Sequence, residues 1–488
     1  MASQYFRATA ARRRRSTRSR CSATRSLQDL LRVGLVAVVG LSSSWWNCAT
    51  LAAPFKTGDE IADSVLPQEE DTNSKPEIKE AAQKLQNKDF EGAMESLRAA
   101  SEKYPDLGPA EVMMASIFLR SNAPTAAQQA HALLDQAVID NPDDPEAYLL
   151  LGGLALQNSL MTESGLLFDK ADALIANFQG DSVRLDRFHK QSLSGRAQVA
   201  ERKRDWKTAE PLLRKLAELD DANAATHQRL GRTLFMLGTP ANREESYKQY
   251  ARAAELNEQA QKAEVAMGML YANDDGDTSK KKATEWFDYA VKQHPEHVPT
   301  RIAMVNYLVS VGDIEGALTH AQEAARLDPE SSEARLTLGQ VYRFLGRYAE
   351  AQELFEAAYL DSPTNFATTN WLTLTLADQD EPDKHERARE LIEMVLQQMA
   401  PSHPSRAEAV ATAGWVYHQL GQDDKAEQGL TTAINSGRVG PDAVYHLAKV
   451  YADKGDKAQA KVYLEMALKN DTVFTYRRQA KQLLAELQ

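Results

Sequence analysis

The sequence predicts an all-α chain, a solenoid of stacked helix-turn-helix units, and three observations predict it. Ala, Leu, Glu, Gln, Lys and Arg dominate, while Gly and Pro number 24 and 18 in 488 residues, a mixture that favours helix. Pro295, Pro329 and Pro363 follow one another at intervals of 34 residues. Between them the same order of small and large residues returns. A chain of this length exceeds what one hydrophobic core usually serves, and a stack in which each unit packs only on its neighbours meets that limit.

The clearest unit is Ser332–Pro363. With Ser332 as position 1, Leu338 and Gly339 fall at 7 and 8, Tyr342 at 11, Gly346 at 15, Ala351 at 20, Phe355 at 24, Ala358 at 27 and Pro363 at 32. Small residues at 8 and 20 suit the crossing of two helices in a hairpin, where interaxial distances of about 8–10 Å admit little more than Gly or Ala. A small residue at 27 suits the contact with the next hairpin. Large residues at 7, 11 and 24 fill the space around these crossings, and Pro at 32 ends the second helix.

The frame recurs in order along the chain. A first unit shows in Ala93, Leu97, Ala100 and Pro105, and a second in Ala130, Leu134, Ala137 and Pro142. Leu151, Gly152, Phe168 and Ala171 mark a third; Ala197, Trp206, Ala209 and Leu213 fit a degenerate fourth. Leu230, Gly231, Tyr250 and Ala253 give the fifth; Gly268, Tyr271, Ala283, Phe287, Ala290 and Pro295 give the sixth. Leu308, Gly312, Ala317, Ala324 and Pro329 give the seventh, before the index unit as eighth. Trp371 and Ala388 suggest a ninth; Gly414, Tyr417, Gly421, Ala426 and Ala433 give a tenth, and Leu447, Tyr451, Gly455, Ala460 and Ala467 an eleventh. The fifth and sixth are longer by three residues between their helices, an insertion that lengthens a turn or adds nearly one helical turn. The extra residues 179–190 predict an extended helix or a bend at an irregular junction.

This pattern resembles the tetratricopeptide (TPR) repeat at nearly every signature position. The resemblance implies a right-handed superhelix whose concave face is lined by the first helix of each pair, commonly at positions 2, 5, 9 and 12. Carried onto this sequence, that face presents Gln228, Arg232, Asn306, Leu336, Gln340, Arg343, Asn370, Trp415, Tyr445 and Lys449 as partner-binding candidates. Some TPR proteins clamp a peptide C-terminal carboxylate with Lys and Asn at positions 5 and 9. Here those pairs read Gln228/Arg232, Val265/Met269, Ile302/Asn306 and Leu336/Gln340, so that pattern is not met and a mixed polar and apolar groove is expected.

The ends of the chain carry their own signals. Residues 1–53 hold nine Arg against one acid, Asp29, a balance of +8, so the rest of a chain of net charge −12 carries −20. An acidic body lacks the basic stripe that nucleic-acid binding requires, and no nucleic-acid partner is expected. The arginines precede the uncharged run Val33–Phe55, with an apolar stretch 33–41, small residues Thr50 and Ala52, and then Pro54. A basic segment, a short apolar core and a small-residue site define a secretory signal. The run is also about long enough to span a bilayer, which leaves an uncleaved anchor open. The only two cysteines, Cys21 and Cys48, lie in this segment, so a chain cleaved after it has no disulfides or thiolate ligands.

A search for chemistry finds no catalytic constellation. His294 and His297 form a two-histidine turn without further ligands, and the acidic loops at Asp274–Asp277 and Asp378–Asp383 lack EF-hand spacing. No P-loop, dinucleotide fingerprint or nucleophile elbow appears. The expectations are no catalytic residue, no metal, no cofactor and no enzyme. The organisation read from the sequence is a signal or anchor over 1–53, a flexible acidic linker over 54–75, N-terminal repeats over 76–178, the remaining array over 179–470, and a capping helix over 471–488. The function expected is a protein-interaction scaffold or adaptor that binds a partner protein or peptide segment on its concave face, exported to the periplasm or cell envelope. A membrane-tethered spacer, held by residues 33–55, or an accessory or chaperone subunit of an exported enzyme system is the alternative.

Overall fold

The computed structural model describes residues 75–120, 126–469 and 473–487, apart from 88, 275 and 277. The predicted signal or anchor over 1–53, and the linker except for Lys75, lie outside the described residues. Among the described residues there are 23 helices and no strand.

Twenty-two of these helices form eleven consecutive hairpins, each packed on the next. Units one to four pair α1 (Pro76–Gln86) with α2 (Phe90–Lys103), α3 (Ala110–Arg120) with α4 (Ala126–Asp140), α5 (Pro145–Gln157) with α6 (Met161–Ile175), and α7 (Ser182–Arg202) with α8 (Trp206–Leu219). Units five to eight pair α9 (Ala224–Leu237) with α10 (Pro240–Leu256), α11 (Ala263–Ala272) with α12 (Ser279–Gln293), α13 (Val298–Val311) with α14 (Ile314–Leu327), and α15 (Ser332–Phe344) with α16 (Tyr348–Asp361). Units nine to eleven pair α17 (Phe366–Ala377) with α18 (Pro382–Gln398), α19 (Arg406–Gln419) with α20 (Asp423–Asn435), and α21 (Pro441–Asp453) with α22 (Lys457–Leu468). A single helix, α23 (Arg477–Glu486), packs on α22.

In units three, five, six, eight and ten the glycine at position 8 faces the large residue at position 24. A Cβ added to Gly339 would lie 2.8 Å from Phe355, one on Gly268 2.9 Å from Phe287, and one on Gly231 2.9 Å from Tyr250. Those separations are below van der Waals contact, so the ring occupies the volume that a side chain on the first helix would need. The alanines at 20 and 27, such as Ala351 and Ala358, are buried at the same crossings.

The turn between paired helices follows a two-residue rule. In units three, four, five, seven, eight, ten and eleven position 15 takes a left-handed conformation, and in units four, five, seven and eleven the side chain of the next residue caps the second helix. Gly312 and Gly455 have φ of 86° and 84°, and the side chains of Asp313 and Asp456 accept from the backbone N–H groups of Gly316 and Gln459. In units three and four this position is held instead by Ser159 and Arg204, at φ of 61° and 57°.

The predicted irregularities have distinct forms. In unit five the three additional residues lengthen the second helix, so α10 has 17 residues where α16 has 14. The additional residues before unit four are helical and make α7 21 residues long. Its first turns fold back on unit three: Arg184 donates to Asp144 and Glu146 at 2.7 Å each, and Arg187 donates to Glu146 at 3.0 Å. The stack is therefore continuous through the junction. No described helix is long and apolar enough to cross a membrane.

Exchanging Ser159 and Arg204 for glycine relieves a left-handed conformation that costs an L-residue about 1–2 kcal/mol, against about 0.5–1 kcal/mol of added chain entropy. Both side chains are exposed, so no packing is lost. Arg204→Gly and Ser159→Gly should each raise stability by about 0.5–1 kcal/mol, read as a higher melting temperature; a lower one refutes the assignment.

Candidate partner-binding groove

The first helix of each pair is largely buried, and among the described residues its less buried positions form a strip along the stack. In units five to eight, position 9 is occupied by Arg232, Met269, Asn306 and Gln340. Arg232, Asn306 and Gln340 are half-buried, as is Gln228 one turn earlier on α9. None of these four polar side chains makes a hydrogen bond or ion pair among the described residues. Met269 is buried between Arg232 and Asn306 in the row, giving a polar strip with an apolar interruption.

Units eight to eleven are different. Arg343, Asn370, Trp415 and Tyr445, expected to face a partner, are buried, with 2%, 2%, 5% and 6% of their surface exposed. They are not free anchors, because the chain covers them itself. Arg343 pairs with Asp378 and donates to the Tyr476 hydroxyl at 2.8 Å. Tyr476 donates to Asp378 at 2.7 Å, and the Trp415 indole N–H donates to the same carboxylate at 2.9 Å. Tyr445 stacks on Tyr476 with ring centroids 5.1 Å apart, and Trp415 stacks on His446 at 4.1 Å. Asn370 bridges Glu408 at 3.1 Å and the Thr412 hydroxyl at 2.7 Å. Leu336 is half-buried, and Lys449 pairs with Asp453 at the edge of the groove at 2.6 Å.

The residues that complete this network, Asp378, Glu408, Asp442, His446 and Tyr476, were not singled out from the sequence as groove residues. Asp378 opens the acidic loop Asp378–Asp383, and His446 stands on α21 away from any other histidine in sequence. The usable signal was Phe474-Thr475-Tyr476, an aromatic pair in a terminal stretch otherwise rich in Lys, Arg and Gln.

Burial governs the charge states here. It lowers the Arg343 pKa, but Tyr476 and Asp378 outweigh it and hold the guanidinium above its ordinary value. Burial, reinforced by Asp378, pushes Tyr476 well up, so its hydroxyl keeps its proton. Burial, then Arg343 and His418, pushes His446 well down, so that ring is neutral. Burial with the nearby Asp442 carboxylate raises Glu408 to about 7, and burial raises Asp442 to about 6 against Arg343, the Thr475 hydroxyl and the Tyr476 N–H.

The two-histidine turn makes no cluster. His294 reaches Glu264 at 3.3 Å and His297 reaches Thr300 at 2.8 Å, while burial lowers the His297 pKa. Among the described residues there is no group of three or more His, Cys, Asp or Glu side chains that could hold a metal ion.

Three stretches match models of the tetratricopeptide repeat, residues 113–181, 308–367 and 441–472. Among curated proteins, the human protein O-mannosyl-transferase TMTC1 is 27% identical over 208 residues, 42% of this chain and 23% of that protein. The chain thus spans about a quarter of the length of that relative. Among solved structures, a thermophilic TPR protein of Thermus thermophilus is 20% identical, covering 39% of this chain and 98% of that one with a TM-score of 0.33. Yeast Tom70 is 13% identical over 86% of this chain and 96% of that one, with a TM-score of 0.35. The human IFIT1 dimer with m7Gppp-AAAA is 16% identical over 73% of this chain and 85% of that one, with a TM-score of 0.39. The transferase match corrects the expectation that the chain is not an enzyme. A stretch resembling this array lies within a protein named for a transferase, so repeats without a catalytic motif do not place the protein that carries them outside catalysis.

Glu408 gives this region a signature in pH. Its folded pKa lies above the ordinary carboxylate value of 4.5, so the folded state holds a proton that the unfolded chain has released between about 4.5 and 7. Stability from this group is intact below that window and falls as pH rises through it; Asp442 acts with the same sign up to about 6. Glu408→Gln keeps the neutral form's shape and should remove about 1–3 kcal/mol of the loss. The check is melting temperature from pH 5 to 8: the variant should gain on the wild type at the alkaline end, and parallel curves count against the assignment.

Proposed function

We propose that this chain, which is a tetratricopeptide repeat protein, works as a scaffold that holds a segment of a partner protein along the first helices of units five to eight. The observation that carries this reading is the row at position 9. Arg232, Asn306 and Gln340 are half-buried, yet their hydrogen-bonding capacity is unspent within the chain. Polar groups held in a concave strip without internal partners suit recognition of backbone amides and polar side chains, and Met269 adds an apolar contact. A single arginine in the row gives it no strong charge preference, in keeping with a polar segment of mixed character.

The N-terminal pattern of arginines, apolar core and small residues supports a place beyond the cytoplasmic membrane, in the periplasm or cell envelope. An uncleaved segment 33–55 would tether the scaffold to the membrane. N-terminal sequencing of the protein recovered from its native cell tests this: export predicts a new terminus shortly before Pro54, and a full-length chain confined to the cytosol removes it.

The groove itself is tested by site-specific photo-crosslinking in the full chain. A photoreactive residue at Asn306 or Gln340 should capture the same partner, while one at Leu360, which is 76% exposed on the second helix α16, should capture none. Capture from Leu360 alone would move the interface to the outer face and sink the groove reading.

A further inference from the structure

We infer that the first helices of units eight to eleven form a second site, a receptor for a tyrosine-bearing segment, and that the chain's own residues 473–476 occupy it as an exchangeable ligand. The inference deepens the proposed function, because it rests on the concave face being a surface for protein segments.

The occupant is not part of the repeat frame. Residues 473–476 lie between α22 and α23 and close in a turn, with the Arg477 N–H donating to the Phe474 carbonyl at 3.1 Å. From there they touch units far away in sequence. A Cβ on Gly312 in unit seven would lie 3.7 Å from Val473. Tyr476 meets Arg343 of unit eight, 133 residues away, and Asp378 of unit nine, 98 residues away. It packs edge-on against His446 at 4.8 Å and face-on against Tyr445, both in unit eleven. Asp442, in the first turn of α21, lies beside Thr475 and Tyr476. The phenol is therefore read from units eight and nine and the ring face from unit eleven, and contacts from separate units are how a peptide site gains selectivity.

Exchangeability follows from what this occupant leaves undone. Three buried polar atoms around it, Arg343 Nε, Asp442 Oδ1 and His446 Nε2, have no hydrogen-bond partner. Buried polar groups in a settled core are nearly all satisfied, and each that is not carries a real cost. Three in one pocket mark a fit that a segment with further donors and acceptors can better. Asp378 also sets the chemistry of the ligand. It accepts the phenol proton from inside a site with 3% side-chain exposure, so an unmodified tyrosine fits. A phosphotyrosine has no proton to give there and brings about −1.5 to −2 charge beside a buried carboxylate.

The test uses the full chain and a fluorescein-labelled peptide, Val-Phe-Thr-Tyr-Arg-Arg, copied from residues 473–478 and followed by anisotropy. Tyr476→Ala should bind this peptide at least about tenfold more tightly than the wild type, whose site is occupied in cis. A phosphotyrosine version of the peptide, or Asp378→Asn added to Tyr476→Ala, should lose at least about tenfold of that affinity. If Tyr476→Ala does not fold, Tyr476→Phe keeps the ring and drops only the hydroxyl. It should bind the peptide several-fold more tightly than the wild type, because its own segment is held less well. A folded variant that binds no better than the wild type, or binding indifferent to phosphate and to Asp378→Asn, overturns the inference. Crosslinking from Asn306 reports on the first site separately, so failure here leaves that result standing.

Discussion

The stack depends on one steric constraint, the absence of a side chain on the first helix where the ring of the second must lie. At Gly231, Gly268 and Gly339 the rings of Tyr250, Phe287 and Phe355 stand within 2.9 Å of where a Cβ would be. The hairpin closes onto these contacts, and the next hairpin packs onto the face so formed. Dispersion between a ring and a bare backbone is weak per atom but made over a whole face, and it is repeated in units three, five, six and eight. Because the second helix fits so closely, the first is pressed between its neighbours. In α11 nine consecutive residues, Ala263–Tyr271, are buried. What remains open on each first helix is a narrow strip, and that strip is the groove.

On that strip the chain places one ion pair that the repeat does not require. Arg343 and Asp378 expose 1% and 3% of their side chains. Removing two charges from water costs several kcal/mol per ion, and the pair is tolerated only where geometry and further hydrogen bonds are good. Here Tyr476 and the Trp415 indole complete the Asp378 carboxylate, and the guanidinium lies over the Trp371 ring at 5.3 Å. Units eight, nine and ten and the terminal segment are thereby joined by directional bonds, and α21 of unit eleven stacks on them through Tyr445 and His446. This network ties the last four units to the terminal segment.

How much of this was legible follows from how local each signal is. The pairing of small position 8 with large position 24 lies within one repeat, so Gly339 and Phe355 announce their contact through spacing alone. The conformation of Ser159 and Arg204 could be inferred only by aligning them with Gly346, since neither residue type signals a left-handed turn. The candidate groove residues divide on the same principle. Arg232, Asn306 and Gln340 stand half-buried at the positions the frame gives them. Arg343, Trp415 and Tyr445 also hold their positions, but their environment is set by Tyr476, up to 133 residues away. Nothing in the spacing of one repeat encodes a contact across the superhelix. Their burial was therefore invisible to an argument built on the repeat.

The two stretches of groove meet on one helix. Gln340 and Arg343 are three residues apart on α15, less than one turn, and point into neighbouring parts of the strip. Gln340 belongs to the row with unspent hydrogen bonds, while Arg343 is tied to Asp378 and Tyr476. Both side chains stand on the one 13-residue helix α15, so a shift of that helix reaches both. If a segment bound at Gln340 favours one placement of α15, it favours or opposes the bonds of Arg343 to the terminal segment to the same degree. Linkage makes the effect reciprocal: whatever loosens residues 473–476 changes affinity at the open row by the factor that the open row changes theirs. The hold on the terminal segment and the binding strength of the middle units are linked in that way through α15.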